Sequence, residues 1–208
     1  MEGKMRIKAF VVGALGTNCY LVWDEVSKEA MLLDPGYYEI VIDKEIEERG
    51  LLLKYIVLTH GHFDHNLGVT DFMKSNKDVK LAANKADLSL LEALIPSVFY
   101  FDEDVIKLGE LSFRIMETPG HTKGGLCLYI PETDPTFVDQ QFSGTVFTGD
   151  TLFNLSVGRT DLGAGNFGEL KDSIKEKLFS LPDDTLVLPG HMGATTIGIE
   201  KEHNPYIK

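Results

Sequence analysis

"VLTHGHFDHNLG", residues 57–68, places His60, His62, Asp64 and His65 within six positions. The chain has six histidines in 208 residues, so half of them sit in this one stretch. Crowded imidazoles repel one another once protonated, so the cluster gains nothing structurally and its use must be to hold something. His60 and His62 stand two apart on an extended segment leaving a strand, where side chains at i and i+2 share a face and can grip one ion. Asp64 and His65 follow where the chain turns into a helix beginning near Asn66; they point elsewhere and suit a second ion. Imidazole nitrogen and carboxylate oxygen are donors that Zn2+, Fe2+ and Mn2+ accept, and the stretch offers no thiolate.

Outward from this stretch, short runs rich in β-branched and aromatic residues recur, among them "TNCYLVW" (17–23), "AMLLD" (30–34), "VKLAA" (79–83) and "LCLYI" (126–130). Four such runs end in a tight or Gly-containing turn that delivers a ligand type. "YIVLT" runs into His60, "FRIMETPG" into His121, "TVFTG" into Asp150 and "TLVLPG" into His191. Ends of buried strands are rigid, and loops leaving them can converge on one rim of a sheet. His121 and His191 can each add a third nitrogen, one per ion, which leaves the two oxygens of Asp150 to bridge. That gives two ions roughly 3.5–4 Å apart sharing a water, an arrangement suited to hydrolysis. His203, in "EKEHNPYIK", has no such company and reads as a surface residue.

Helical spacing lies between the strands. Residues 38–49 place Ile42 and Ile46 four apart, residues 84–95 are rich in Leu and Ala, and "GELKDSIKEKLFSL" (168–181) aligns Leu170, Ile174 and Leu178. Strands outnumber helices and come in consecutive runs, so the pattern is layered α/β rather than a simple βαβ alternation. The length suits one well-cored domain over residues 1–208. A net charge of −12 disfavours a nucleic-acid backbone as partner. No apolar run is long enough to cross a bilayer, and the N-terminal apolar patch merges into strand-like alternation rather than a cleavage site, so a cytoplasmic location is expected. Cys19 and Cys127 read as buried thiols in strands.

"THGHFDH" fits the His-x-His-x-Asp-His signature of the metallo-β-lactamase superfamily, and "TPGHTKGGLCLY", "FTGDTLF" and "LPGHMGATT" resemble its later motifs in the same order. The likeness runs from "GTNCYLV" and "LLDPG" to "TTIGIEKEHNP" and is nearest to the short glyoxalase II-like branch. The resemblance implies a four-layer αββα sandwich with metals on one edge. It further implies His60, His62 and His121 on one divalent ion, Asp64, His65 and His191 on a second, and Asp150 between them, with zinc foremost and iron or manganese as alternatives.

A water shared by two such ions is acidified towards neutrality and would attack a carbonyl carbon, with Asp64 placed to orient it and take its proton. A thiolate leaves without a general acid, so the site suits thioesters, and the glyoxalase II resemblance implies an S-acyl thiol, typically S-lactoylglutathione. Glyoxalase II proper continues past the counterpart of His191 into a helical, glutathione-binding region, whereas residues 192–208 here are short and mixed in charge; weak saturation by glutathione conjugates is expected. "GHMGATT" departs from the Gly-His-Gly-Pro of short relatives, which puts Met192 beside a ligand. Arg159, in a loop resembling the branch's Gly-Arg-Thr-Asp, is the basic residue placed near the site: it docks a substrate carboxylate or pairs with Asp161 to pin the loop. Asp34 and Thr59 are expected to support ligands rather than react. The nearest rival is an iron-dependent persulfide dioxygenase using His60, His121 and Asp150. A lactamase, a nuclease and a metal-binding module without activity are weaker alternatives.

Overall fold

Strand β2 (Thr17–Asp24) is buried at every position, and its alternating side chains serve two different cores. Tyr20 and Val22 face one apolar cluster, while Cys19, Leu21 and Trp23 face another. A strand covered on both faces needs apolar residues on both, which is why "TNCYLVW" reads as a nearly continuous apolar run. The computed structural model describes residues 4–131 and 142–208.

Six strands form the first sheet in chain order: β1 (Met5–Val12), β2, β3 (Glu29–Leu33), β4 (Leu52–Val57), β5 (Lys80–Ala83) and β6 (Val98–Phe99). The first three pair antiparallel and the rest parallel. The second sheet is built from β7 (Val105–Leu108), β8 (Leu111–Glu117), β9 (Leu126–Pro131), β10 (Gly144–Gly149), β13 (Leu186–Pro189) and β14 (Thr195–Thr196), in the spatial order β14-β13-β10-β9-β8-β7. A ribbon of β11 (Leu152–Phe153) and β12 (Ser156–Val157) follows β10.

Met31, Leu33, Phe113, Leu128 and Phe147 pack between the sheets. On the outer face of the first sheet lie Ile42 and Ile46 of α1 (Ile40–Glu48) and Val69 and Phe72 of α3 (Val69–Ser75), beyond the short α2 (Phe63–Asn66). Leu170 and Ile174 of α4 (Phe167–Glu176) and Ile197 of α5 (Ile197–His203) cover the second. The order of layers is helix, sheet, sheet, helix: an αββα sandwich. Each fully buried Leu, Ile or Phe contributes about 1.5–3 kcal/mol, so the three apolar layers together set the frame on which the loops ride.

Two expectations need correction. Residues 84–95 are not an α-helix: Lys85–Leu90 form a 3-10 turn, capped by the Asn84 side chain accepting from the Ala86 N–H, and the chain then turns towards Pro96. The helix after the histidine stretch begins at Phe63, not near Asn66, with His62 immediately before it in extended conformation.

Candidate metal centre

β8 and β9 are antiparallel, as are β9 and β10, while β10 and β13 are parallel. The C-terminal ends of β8, β10 and β13 therefore point the same way, and the loops beyond them carry His121, Asp150 and His191. β4 of the opposite sheet delivers His60 to the same rim. Strand β2 fixes the two sheets together there: Tyr20 Oη donates to the Pro189 carbonyl at 2.7 Å, and Asn18 Nδ2 donates to the carbonyls of Pro189 and Met192 at 2.9 and 2.8 Å.

The structure brings all seven residues of the expected ligand set together, in two groups. His121 Nε2 lies 3.2 Å from His60 Nε2 and 2.9 Å from His62 Nδ1. His191 Nε2 lies 3.3 Å from His65 Nε2 and 3.3 Å from Asp64 Oδ2. Asp150 stands between the groups: Oδ2 is 3.5 Å from His121 Nε2 and 3.7 Å from His191 Nε2, and Oδ1 is 3.3 Å from His65 Nε2. Each triad places one donor atom per residue close enough to share an ion. His203 is exposed on α5, away from the cluster.

Hydrogen bonding shows that these groups fit cations. Thr59 Oγ1 donates to Asp34 Oδ2 at 2.7 Å, so its lone pair is what meets His60 Nδ1 at 3.1 Å, and His60 must donate there. His121 Nδ1 donates to the Arg159 carbonyl at 2.6 Å. In the neutral ring the other nitrogen is then unprotonated. Two bare lone pairs thus face each other at 3.2 Å, which is repulsive unless a positive charge lies between them. Asp150 Oδ1 is buried with no hydrogen bond in good geometry and has the His65 ring at 3.3 Å, so its coordination is incomplete and leaves room for a cation.

The electrostatics follow the same division. Burial, and then the neighbouring imidazoles, hold His60 well below the usual histidine range, and burial followed by His121 lowers His62. Burial also opposes charge on His65, but Asp150 and Asp34 outweigh it and push that ring up to about 10. The hydrogen bond that His191 donates to the Asp64 carboxylate raises His191. Asp150 is held low by His65 despite its burial. His65 Nδ1 is 3.0 Å from Asp34 Oδ2, out of line for a hydrogen bond. Asp34 also groups with His60 and His65, but its oxygens already accept from the Thr59 N–H and hydroxyl behind those rings, so it orients them.

Asp87 was missed by sequence reasoning. Buried in the 3-10 turn, it accepts from Gly61 N–H at 2.9 Å, Thr122 Oγ1 at 2.7 Å and Gly124 N–H at 2.7 Å. One carboxylate thereby ties the loop of His60 and His62 to the loop of His121. No motif announces it, and in the Leu- and Ala-rich run it stands among other polar residues, Asn84, Lys85, Ser89 and Glu92, with nothing to set it apart. Gly190 shows how tightly the rim is packed, since a β-carbon there would lie 2.5 Å from Asp150 Oδ1 and 2.8 Å from His65 Cε1.

Arg159 lines the cavity over the cluster and is also paired: Nε and Nη2 donate to the two oxygens of Asp161 at 2.9 and 3.0 Å, and both side chains are exposed.

Comparison with known proteins places this arrangement. Hydroxyacylglutathione hydrolase GloC of Haemophilus influenzae is 35% identical over 98% of both chains. Mitochondrial persulfide dioxygenase ETHE1 of Homo sapiens is 35% identical over 89% of this chain and 68% of its own length. The crystal structure of BLEG-1 B3 metallo-beta-lactamase superposes with a TM-score of 0.85 at 29% identity, covering 97% of this chain and 99% of that one. The family model of the metallo-beta-lactamase superfamily matches residues 12–191. The chain belongs to the metallo-beta-lactamase superfamily.

Proposed function

We propose that the protein is a metal-dependent hydrolase of small acyl thioesters. In this reading His60, His62 and His121 hold one divalent ion, Asp64, His65 and His191 a second, and Asp150 is shared. The observation that carries it is the position of Asp150, whose carboxylate lies within reach of both triads while one of its oxygens makes no hydrogen bond. Zinc suits this nitrogen-and-oxygen set best; iron and manganese are the alternatives.

When bound, the ions supply Lewis acidity, lowering the pKa of a water towards 7 and stabilising charge on the acyl oxygen. The remaining tasks fall to the chain. Asp64 lines the cavity and would orient the attacking water and accept its proton. His121 is fixed in one tautomer by the Arg159 carbonyl, and His60 by Thr59, so neither ring must reorganise during turnover. Beyond the ligand set, the polar side chains lining the cavity among the described residues are Ser156 and Arg159. Neither gives up a proton readily near pH 7, which favours a leaving group that departs as an anion unaided. A thiolate does so; an alkoxide or amide does not. S-lactoylglutathione is the reference substrate, in line with the hydrolase relative. Two free buried cysteines agree with a cytoplasmic setting, where thiols stay reduced.

Persulfide dioxygenation is the second reading, favoured by the human relative. One experiment separates them. Protein with quantified metal is offered acyl thioesters, a persulfide and a β-lactam, and thiol release, oxygen uptake and ring opening are followed. Thiol release without oxygen uptake is expected. Oxygen uptake with the persulfide and no thioester turnover at full metal loading would overturn the proposal.

A further inference from the structure

The cavity above the candidate metal centre has a volume of about 790 Å³, and away from the ligands its wall is mostly apolar, with Ser156 and Arg159 as the polar side chains among the described residues. Leu15 comes from the β1–β2 turn, Phe63 from the start of α2, Phe153 and Val157 from the β11–β12 ribbon, Leu162 from the loop beyond it, and Met192 from the residue after His191. Four of these six side chains are exposed: Leu15, Phe63, Leu162 and Met192. Large apolar side chains converging from separate segments on one opening mark a ligand surface rather than packing.

Met192 is held there at a conformational cost. Its φ is +68°, a left-handed backbone that residues with a β-carbon adopt unfavourably. The hydrogen bond from Asn18 Nδ2 to its carbonyl, at 2.8 Å, holds it. Backbone strain of this kind persists where the position is over-determined, and it collects at ligand sites.

Charge points the same way. Among the described residues lining the cavity, Arg159 is the one Lys or Arg, and Asp161 already occupies its guanidinium. Lys123 lies in a separate cavity of about 200 Å³ that shares only Leu162 with this one. Among the described lining residues, the carboxylates of a glutathione moiety would therefore meet mostly apolar wall and no unpaired Lys or Arg.

We infer that this cavity selects thioesters carrying an aliphatic or aromatic group over those carrying an anionic thiol. The inference rests on the thioesterase reading and narrows its substrate class.

The test is a grid of thioesters given to holoenzyme of known metal content: acetyl and hexanoyl groups, each on N-acetylcysteamine, on benzyl mercaptan and on glutathione. A fully buried methylene is worth about fourfold in binding. Hexanoyl adds four, so a rise in kcat/KM of tenfold or more over acetyl is expected on N-acetylcysteamine if the acyl group occupies the wall. A similar rise for benzyl mercaptan over N-acetylcysteamine, at constant acetyl, would place the thiol there instead. Met192→Gly, which also relaxes the backbone, and Leu162→Ser should each pull the favoured ratio towards one. Ratios within twofold of one on both sides, or a tenfold preference for the glutathione conjugates, would overturn the inference while leaving thioester hydrolysis intact. Binding of the unreactive thioether S-hexyl-N-acetylcysteamine, measured by calorimetry, covers the opposite failure. If it binds while no thioester is turned over, the apolar cavity stands and the thioesterase reading falls.

Discussion

The two triads sit on one rim, yet they are held by different forces. His60 and His121 are fixed from behind by uncharged partners, the Thr59 hydroxyl and the Arg159 carbonyl, and their loops are joined through Asp87. His65 and His191 are fixed by carboxylates, with Asp34 and Asp150 about His65 and Asp64 against His191. The first triad thus presents bare lone pairs at a distance where they repel, while the second carries its own compensating charge. A site built from neutral donors owes its geometry to second-rank residues; one built from ion pairs partly owes it to itself. The first should be the more sensitive to changes outside the ligand set.

The largest effect tests what the triads share. Asp150→Ala should abolish retention of both ions, whereas His203→Ala should leave the metal content unchanged, as read by elemental analysis after gel filtration. Stripping metal from the wild type with a chelator should lower the melting temperature, because ions that bind only the folded chain stabilise it by about 4 kcal/mol at a thousandfold excess over Kd. Full occupancy of one triad in Asp150→Ala would mean that the two are independent.

Next comes the residue that distinguishes them. Asp87→Ala leaves the Gly61 and Gly124 N–H groups and the Thr122 hydroxyl without their buried acceptor. Unsatisfied buried donors cost about 1–3 kcal/mol each before relaxation, so a loss near 3 kcal/mol in denaturant unfolding is expected. The first ion should weaken roughly 10- to 100-fold, the usual effect of removing a residue behind a ligand. The second should change little, and Asp87→Asn, which keeps one acceptor oxygen, should recover part of the loss. Equal weakening of both ions in a chelator competition would erase the contrast between the triads.

A smaller and sharper change is Thr59→Val, which removes the hydroxyl between Asp34 and His60 while keeping the shape. Asp34 still accepts the backbone N–H of residue 59. We expect about 1–2 kcal/mol of stability lost and a first ion that binds more weakly, with stoichiometry at saturation unchanged. Loss of the second ion instead would show that Asp34 acts chiefly through His65.

These contrasts also mark how far the sequence could be read. The seven residues gathered at the rim were legible: His60, His121, Asp150 and His191 because each follows a strand whose apolar pattern is plain and whose exit is a tight turn, and His62, Asp64 and His65 because they crowd beside His60. α1 and α4 were legible from Ile42, Ile46, Leu170 and Ile174 at helical spacing. Asp87 was not: its partners Gly61, Thr122 and Gly124 are distant in sequence, and the run around it imitates a helix until Asn84 and Asp87 divert the backbone. The helix after the histidines was misplaced for a related reason. Asp64 and His65 were read as lying where the chain turns towards a helix near Asn66, and nothing local shows that the helix begins directly after His62. α5 and the β11–β12 ribbon are too short for a period to show, and they exist because Ile197 and Leu152 find apolar cover on the second sheet.

The smallest expected effect concerns Arg159, whose two sequence-level readings, docking a substrate carboxylate or pinning a loop, meet in one residue. Its side chain is exposed and engaged by Asp161, and exposed pairs add little to stability. What reaches the first triad is its carbonyl, which accepts from His121, and a substitution of the side chain leaves that carbonyl in place. Arg159→Met should therefore keep both ions, shift the melting temperature little, and change turnover of charged and neutral thioesters together by less than about threefold. Asp161→Asn supplies the converse, since it frees the guanidinium without moving the backbone. If anionic thioesters then gain tenfold while neutral ones do not, the arginine is a dock held in reserve by its partner. Should Arg159→Met alone cost anionic thioesters tenfold, the ion pair opens during turnover and the docking role holds in the native enzyme. If neither variant separates the two substrate classes, Arg159 serves the first triad through its backbone and its loop.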